Sequence, residues 1–411
     1  MKKTEHIFQC INCGKRFNKH EVKYLCPDCE KTNSATSPPK GVLKTVYDYE
    51  NLKNEISGFS QLKQNNFIDL LPIQKLDSLP NLRIGNTPLY SIKKIDNSKL
   101  PFNLFLKDDS QNPTFSFKDR ASAIVSAYAK ENGFNTIVTA STGNAGSSLA
   151  GICASQGQKA IIIVPETAPA AKLTQIIMYG AKIILIKGNY DDAFDLSVEA
   201  SKEFGWYNRN TAFNPLTIEG KKTVSFELFE QMNYTVPDNI FVPVGDGVII
   251  SSVYKGFEDL LKLKIINKMP CVIAIQSDGS NNLIRNISKE KFISKSSSTI
   301  ADSISVDIPR NFYMAQHFIR TYLGNYLSVS DDEIIKASLI LSKNTGIFSE
   351  PAAAAAFAGL LSYSKNNQIA DNSNNIVLLT GSGLKDLSSV KKIFNISESI
   401  KPSIKEMKKL F

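Results

Sequence analysis

An open α/β fold, with parallel strands joined by crossover helices, is what this sequence predicts, and three observations carry it. From about residue 104 onward, short runs rich in Val and Ile alternate with stretches of helical period. Each run is followed by a loop containing glycine, the arrangement expected where a strand feeds a helix. With 411 residues, 42% of them hydrophobic, the chain is long enough for two domains, or for one large domain with an appendage, each with its own core.

The amino-terminal stretch reads differently. MKKTEHIFQC has charges but no apolar run of signal-peptide length, and no later stretch reaches about 18 uninterrupted apolar residues, so a soluble, cytoplasmic protein without membrane partners is expected. The net charge of +9 is spread over scattered lysines rather than one stripe, which argues against a nucleic-acid partner. Four of the six cysteines form CINC and CPDC: Cys10, Cys13, Cys26 and Cys29, with twelve residues between the pairs. Two such knuckles suit one structural Zn²⁺, which would hold together a segment too short to build a core; four thiolates leave no open position for catalysis. Disulfides are the competing reading, disfavoured in a reducing compartment. Cys153 and Cys271 sit in apolar runs and read as core residues. His6 and His20, around the module, read as surface residues or spare ligands.

KTNSATSPPKG then reads as a linker, placing a boundary near residue 40. The α/β pattern follows: TIVTA into AGSSLAGICASQG, AIIIVP into AAKLTQIIMYG, KIILIKG into YDDAFDLSVEASKEFG, and NIFVPVGDG into VIISSVYKGFEDLLKL. PAAAAAFAG, Pro351 to Gly359, has strong helix propensity and small side chains, so a closely packed buried helix is expected after Glu350.

Within QNPTFSFKDRAS, Lys118 stands in apolar company just before a predicted helix. Burying an ammonium costs several kcal/mol unless it is paired or loses its charge. Lys118 is therefore either a structural ion-pair partner or an amine kept neutral, and a neutral amine can attack a carbonyl to form an imine. In open sheets ligands bind beyond the carboxyl ends of the strands, which directs attention to three loops. Ser141, Thr142, Gly143, Asn144 and Ala145 open a helix where backbone N–H groups and the helix dipole favour an anion, although the dinucleotide glycine spacing is absent. In PVGDGVII, Gly245 and Gly247 allow close backbone approach to phosphate oxygens, with Asp246 expected to turn away and cap the helix. In VLLTGSGLKD, Thr380 either donates to a neutral ring nitrogen or simply terminates its strand. Together the loops imply a ligand with a carboxylate, a phosphate and a carbonyl, as pyridoxal phosphate with an amino acid supplies.

The ordered motifs GNTPL (from Gly85), NPTFSFKDR, STGNAGSSLAG, VPVGDG and TGSGLKD, after a cysteine module, resemble the threonine synthase family of tryptophan-synthase-β-like, fold type II pyridoxal-phosphate enzymes. The likeness spans most of the chain from about residue 85. It implies that Lys118 joins the cofactor aldehyde and later shuttles protons, that Asn144 bonds the cofactor's ring oxygen, and that Ser141, Thr142, Gly143, Asn144 and Ala145 grip the substrate carboxylate. It further implies that Gly245, Asp246, Gly247, Val248 and Ile249 cradle the cofactor phosphate and that Thr380 faces the pyridine nitrogen. A hydroxyl there weakens the electron sink relative to a carboxylate and favours elimination and replacement over transamination.

The implied reaction takes O-phosphohomoserine and water to threonine and phosphate, with Lys118 as general base. The implied architecture is a cysteine module at 1–40, a large domain from 46–110 and 223–411, and a small mobile domain at 111–222; the likeness is compatible with a homodimer, while the sequence itself does not give the oligomeric state. Two departures bear on the substrate: Phe115 stands where many relatives have a small residue, and GDGVII replaces an asparagine- and glycine-containing loop. Arg209, Lys221 and Lys222 either grip a substrate phosphate or are solvent-exposed and helix-starting residues. The rival activities are another fold type II ammonia-lyase or β-replacement synthase and, from a different class, a silent zinc-module protein that binds nucleic acid.

Overall fold

The strand runs read from the sequence assemble into three sheets in a computed structural model that describes residues 6–391 and 399–410. Numbered along the chain, the strands are β1 His6–Cys10, β2 Arg16–Asn18, β3 Leu43–Tyr47, β4 Leu89–Ile95, β5 Ser98–Asp108, β6 Thr136–Ala140 and β7 Lys159–Pro165. They continue with β8 Lys182–Ile186, β9 Tyr207–Asn208, β10 Asn239–Pro243, β11 Cys271–Ser277, β12 Asn325–Val329 and β13 Asn374–Leu379.

A four-stranded sheet in the order β8-β7-β6-β9 is parallel throughout, drawn entirely from residues 136–208. A six-stranded sheet in the order β12-β11-β10-β13-β5-β4 is parallel except at its edge. The exception, β4, was not legible as a strand. It forms an antiparallel hairpin with β5 across Asp96 and Asn97, whose φ of +48° and +63° suit the two-residue turn that matches strand twist. Lys93 and Lys94 lie exposed on this edge, where charge discourages pairing with another chain.

The helices run where the periodicity put them. Pro351–Lys365 is buried from Pro351 to Leu360, its alanines letting it lie close beneath the six-stranded sheet. The remaining sheet, β2-β1-β3, is antiparallel and takes its third strand from beyond the stretch read as a linker, with Cys10 opposite Leu43 and His6 opposite Tyr47. Among the described residues no helix is long and apolar enough to cross a membrane.

Because β6, β10 and β13 are parallel strands that all end in glycine loops, three loops open at carboxyl ends of the two large sheets: residues 141–145, 244–248 and 380–383.

Candidate active site

Lys118 is the first residue of helix Lys118–Glu131, and the chain fixes it from both sides. Asp119, fully buried, accepts the Thr114 N–H at 2.7 Å and the Thr114 hydroxyl at 2.5 Å, closing the NPTFSF loop on itself. Arg120 grips Asp109 through Nε at 2.6 Å and Nη2 at 2.9 Å, and Glu227 through Nη1 at 2.6 Å. Ser116 bridges to Gly381, and the Phe117 N–H donates to the Thr380 carbonyl at 2.8 Å. The side chain of Lys118 is left without an ion pair or hydrogen bond among the described residues, half-buried in a cavity of about 370 Å³. Burial lowers its pKa, Arg209 lowers it further, and attraction to Glu350 and Asp246 opposes both.

Ser141, Thr142, Gly143, Asn144 and Ala145 wall this cavity, as do Gly245, Asp246, Gly247, Val248 and Ile249. Gly143 and Gly247 are the N-caps of helices Asn144–Gln156 and Val248–Lys262, so the first-turn N–H groups of both helices are free of intrahelical acceptors. Gly247 needs its left-handed φ of +89°, and a Cβ there would meet Leu283 at 2.8 Å. Thr380 follows β13 beside the start of the lysine helix but does not line the cavity.

The cavity wall carries Lys118, Lys221 and Arg310 against Asp191, Asp246, Asp302 and Asp307. Lys221 lines it, is fully buried, and its Nζ has no partner; burial, Arg209 and Lys118 together press its pKa well below the usual lysine value. Arg209, also fully buried, donates to Ser122 at 3.2 Å and Thr211 at 3.1 Å but leaves Nη2 unpartnered, and burial lowers its pKa to about 10. A cavity with the unpartnered Lys221 amine in its wall, the free Nη2 of the buried Arg209 behind it and free helix-end amides fits a ligand carrying phosphate. An unpaired lysine amine in the same wall fits its aldehyde.

Several expectations need correction. Arg209, Lys221 and Lys222 are not solvent-exposed: all three are fully buried, and Lys222 faces away from the cavity, bound to Glu219 at 2.5 Å and Asp259 at 2.6 Å. Asp246 does not cap its own helix. Its Oδ1 accepts the Arg310 N–H at 3.1 Å near the start of helix Phe312–Thr321, while its side chain still borders the cavity. Phe115 does not narrow the pocket; at φ +67° its ring turns outward, 48% exposed, away from the lysine. Asn144, which remains in the cavity wall as expected, also donates its amide to both Glu350 oxygens at 3.0 and 2.9 Å. His6 is not a surface residue but lies buried against Phe8 and Tyr47. Cys153 is buried as expected, whereas Cys271 is half-buried at the start of β11.

Sequence reasoning missed Glu350, Lys385 and the 302–310 loop. Glu350 is buried, and burial raises its pKa against the Asn144 hydrogen bonds and the attraction of Lys118. A Cβ at position 381 would sit 2.5 Å from its Oε1, so the glycine after Thr380 is required by this contact. Its only sequence signal was Pro351, which marks a helix start. Lys385, in the quoted TGSGLKD, donates to Ser147 at 2.8 Å and to Gln175, and burial lowers its pKa to about 8. The 302–310 loop closes the cavity with Ser303, Ser305 and Arg310; the Arg310 guanidinium pairs with Asp191 and lies 3.8 Å over the Phe194 ring.

Away from this cavity, the sulfurs of Cys10, Cys13, Cys26 and Cys29 all lie within 4.8 Å of one another. Cys10 to Cys29 is 3.7 Å and Cys13 to Cys26 is 3.8 Å, against about 3.8 Å for the edge of a tetrahedron with Zn–S bonds of about 2.3 Å. All six cysteines are free thiols. The donor set and its spacing fit Zn²⁺.

Residues 81–381 match the model of a family described as pyridoxal-phosphate dependent enzymes. Two similar relatives are the threonine synthases of Methanocaldococcus jannaschii, 36% identical over 92% of each chain, and of Methanosarcina acetivorans, 33% identical over 93% of each. Among solved structures, the processed form of threonine deaminase isoform 2 from Solanum lycopersicum superposes with TM-score 0.64 at 23% identity, over 72% of this chain and 79% of that one. Diaminopropionate ammonia lyase from Escherichia coli superposes with TM-score 0.65 at 18% identity, over 77% and 89% of the two chains. These two likenesses establish the fold type II architecture.

Proposed function

We propose, from the premise that this chain belongs to the family of pyridoxal-phosphate dependent enzymes and is a lyase of it, that its reaction converts O-phospho-L-homoserine and water to L-threonine and inorganic phosphate. The observation that carries this reading is the pairing of two unpartnered amines, Lys118 and Lys221, in one cavity walled by two helix-opening glycine loops.

Lys118 would hold the cofactor's aldehyde and the amides of Gly245 to Ile249 its phosphate, and the group so held would supply the electron sink that acidifies substrate C–H bonds. The chain's own residues do the rest. Lys118 Nζ, its pKa lowered by burial and by Arg209, takes the α-proton as general base. The Ser141–Ala145 loop orients the substrate carboxylate at a helix N-terminus. Lys221, with Arg209 behind it, supplies the counter-charge for the departing γ-phosphate. Thr380 is assigned the hydroxyl facing the pyridine nitrogen. Residues 111–222 act as the mobile unit that closes over substrate and excludes water until it is needed at the β-carbon. The four cysteines hold a structural Zn²⁺.

Incubating the purified protein with O-phosphohomoserine tests the reading. Equimolar threonine and phosphate support it, whereas a 2-oxo acid with ammonia would assign the chain to ammonia-lyase chemistry instead.

A further inference from the structure

The segment that carries Arg209 and Lys221, residues 207–222, holds only the two-residue strand β9 and the short helix Leu216–Lys221 as regular structure, and two tyrosines of the amino-terminal module hold its ends. At one end Tyr24, two residues before Cys26, accepts the Asn208 N–H through its hydroxyl at 2.8 Å and stacks on Phe213 with ring centroids 4.5 Å apart. The next residue along is Arg209. At the other end Tyr47, the last residue of β3, donates its hydroxyl to Glu219 Oε2 at 2.6 Å in a fully buried contact. Glu219 and Lys221 share the helix Leu216–Lys221. Two positions along a helix differ by about 200°, so the contact that faces the module sends Lys221 to the opposite side, into the cavity. The Lys222 ammonium, 4.3 Å from the centre of the Tyr47 ring and bonded to Glu219, seals the same contact.

We propose that Tyr24 and Tyr47 are positioning residues: through Asn208 and Glu219 they set the placement of Arg209 and Lys221, and so the affinity of the active-site cavity for a phosphate-bearing substrate. The four-cysteine module is thereby a working part of substrate selection rather than a separate appendage. This rests on the assignment of Lys221 to the substrate phosphate made above.

The test uses the cofactor-loaded full chain, whose cofactor phosphate already occupies the glycine loop. Inorganic phosphate and L-threonine are titrated separately by calorimetry into the wild type, Tyr24→Phe, Tyr47→Phe and, as reference, Lys221→Met. The expected result is a phosphate Kd raised about fivefold or more in each tyrosine variant, with L-threonine affinity unchanged and the KM for O-phosphohomoserine raised while kcat stays within about twofold. Unchanged phosphate affinity in both tyrosine variants, alongside a loss in Lys221→Met, would overturn the positioning role. Equal losses for phosphate and threonine would also overturn it, by showing general loosening. A wild type that binds no phosphate would instead overturn the underlying assignment, and is seen before any variant is compared.

Discussion

Glu350 presents both carboxylate oxygens to the side-chain amide of Asn144, at 3.0 and 2.9 Å, and so ties the helix that follows β6 to the helix that lies beneath the other sheet. The carboxylate also favours the protonated form of Lys118, while Arg209 disfavours it. The acid–base state of Lys118 is therefore set by opposed neighbours, and this gives predictions of opposite sign.

Removing a nearby cation makes protonation of Lys118 easier. Arg209→Met should raise the Lys118 pKa and move the acidic limb of the kcat/KM profile to higher pH. Removing the carboxylate charge with Glu350→Gln should lower that pKa and move the limb to lower pH. Rate profiles of the two variants should bracket the wild type.

Lys118→Ala should abolish the visible absorption of the cofactor-loaded protein and reduce turnover by about 10³-fold or more, since both the covalent attachment and the general base are lost. Absorption spectra and phosphate release check this, and survival of either unchanged would contradict the assignment.

Asp259 is fully buried between Lys222 at 2.6 Å and Lys255, and accepts the Tyr49 hydroxyl at 2.5 Å. Asp259→Ala leaves the buried Lys255 ammonium without a carboxylate and Lys222 with Glu219 alone, and should cost about 3–5 kcal/mol, measured by denaturant unfolding. A loss under about 1 kcal/mol would mean that water or rearrangement already neutralises these lysines.

His6 is buried with neither ring nitrogen bonded, and burial, with Lys19 and Lys222 adding to it, lowers its pKa to about 4. A folded-state value below the unfolded one of about 6.5 means that the unfolded chain takes up the proton first. Stability should thus be full above pH 6.5 and fall as pH drops toward 4, by roughly 3 kcal/mol over that window. His6→Phe should flatten the dependence in thermal unfolding series.

Stripping the four-cysteine site with a chelator should release one Zn²⁺ per chain and lower the unfolding midpoint, as should Cys10→Ser or Cys26→Ser; metal analysis and calorimetry check this. Lys118 chemistry should survive partial stripping better than phosphate affinity does.

Much of this protein is legible in its sequence because parallel strands leave a strong trace. TIVTA, AIIIVP and NIFVP are buried on both faces, and their glycine loops fall where helices begin. The same regularity brought Lys118, Asn144 and Gly247 to one cavity. The hairpin edge was hidden because β4 alternates imperfectly and carries two lysines. Glu350 was hidden for a different reason. Its partner Asn144 lies 206 residues away, and nothing local distinguishes a carboxylate that meets a buried amide from one that caps a helix in water. The burial of Arg209 and Lys221 was likewise invisible, since a polar run such as NRNTAFNPLTIEGKKT reads as surface until other elements close over it.

The third strand of the cysteine module carries one more implication. Among the described residues β3 pairs with β1 alone, along five residue positions, and its inner face, with Leu43, Thr45 and Tyr47, is buried. Trimming the chain at residue 42 would strip that ladder and leave a naked, largely apolar edge free to recruit a second molecule.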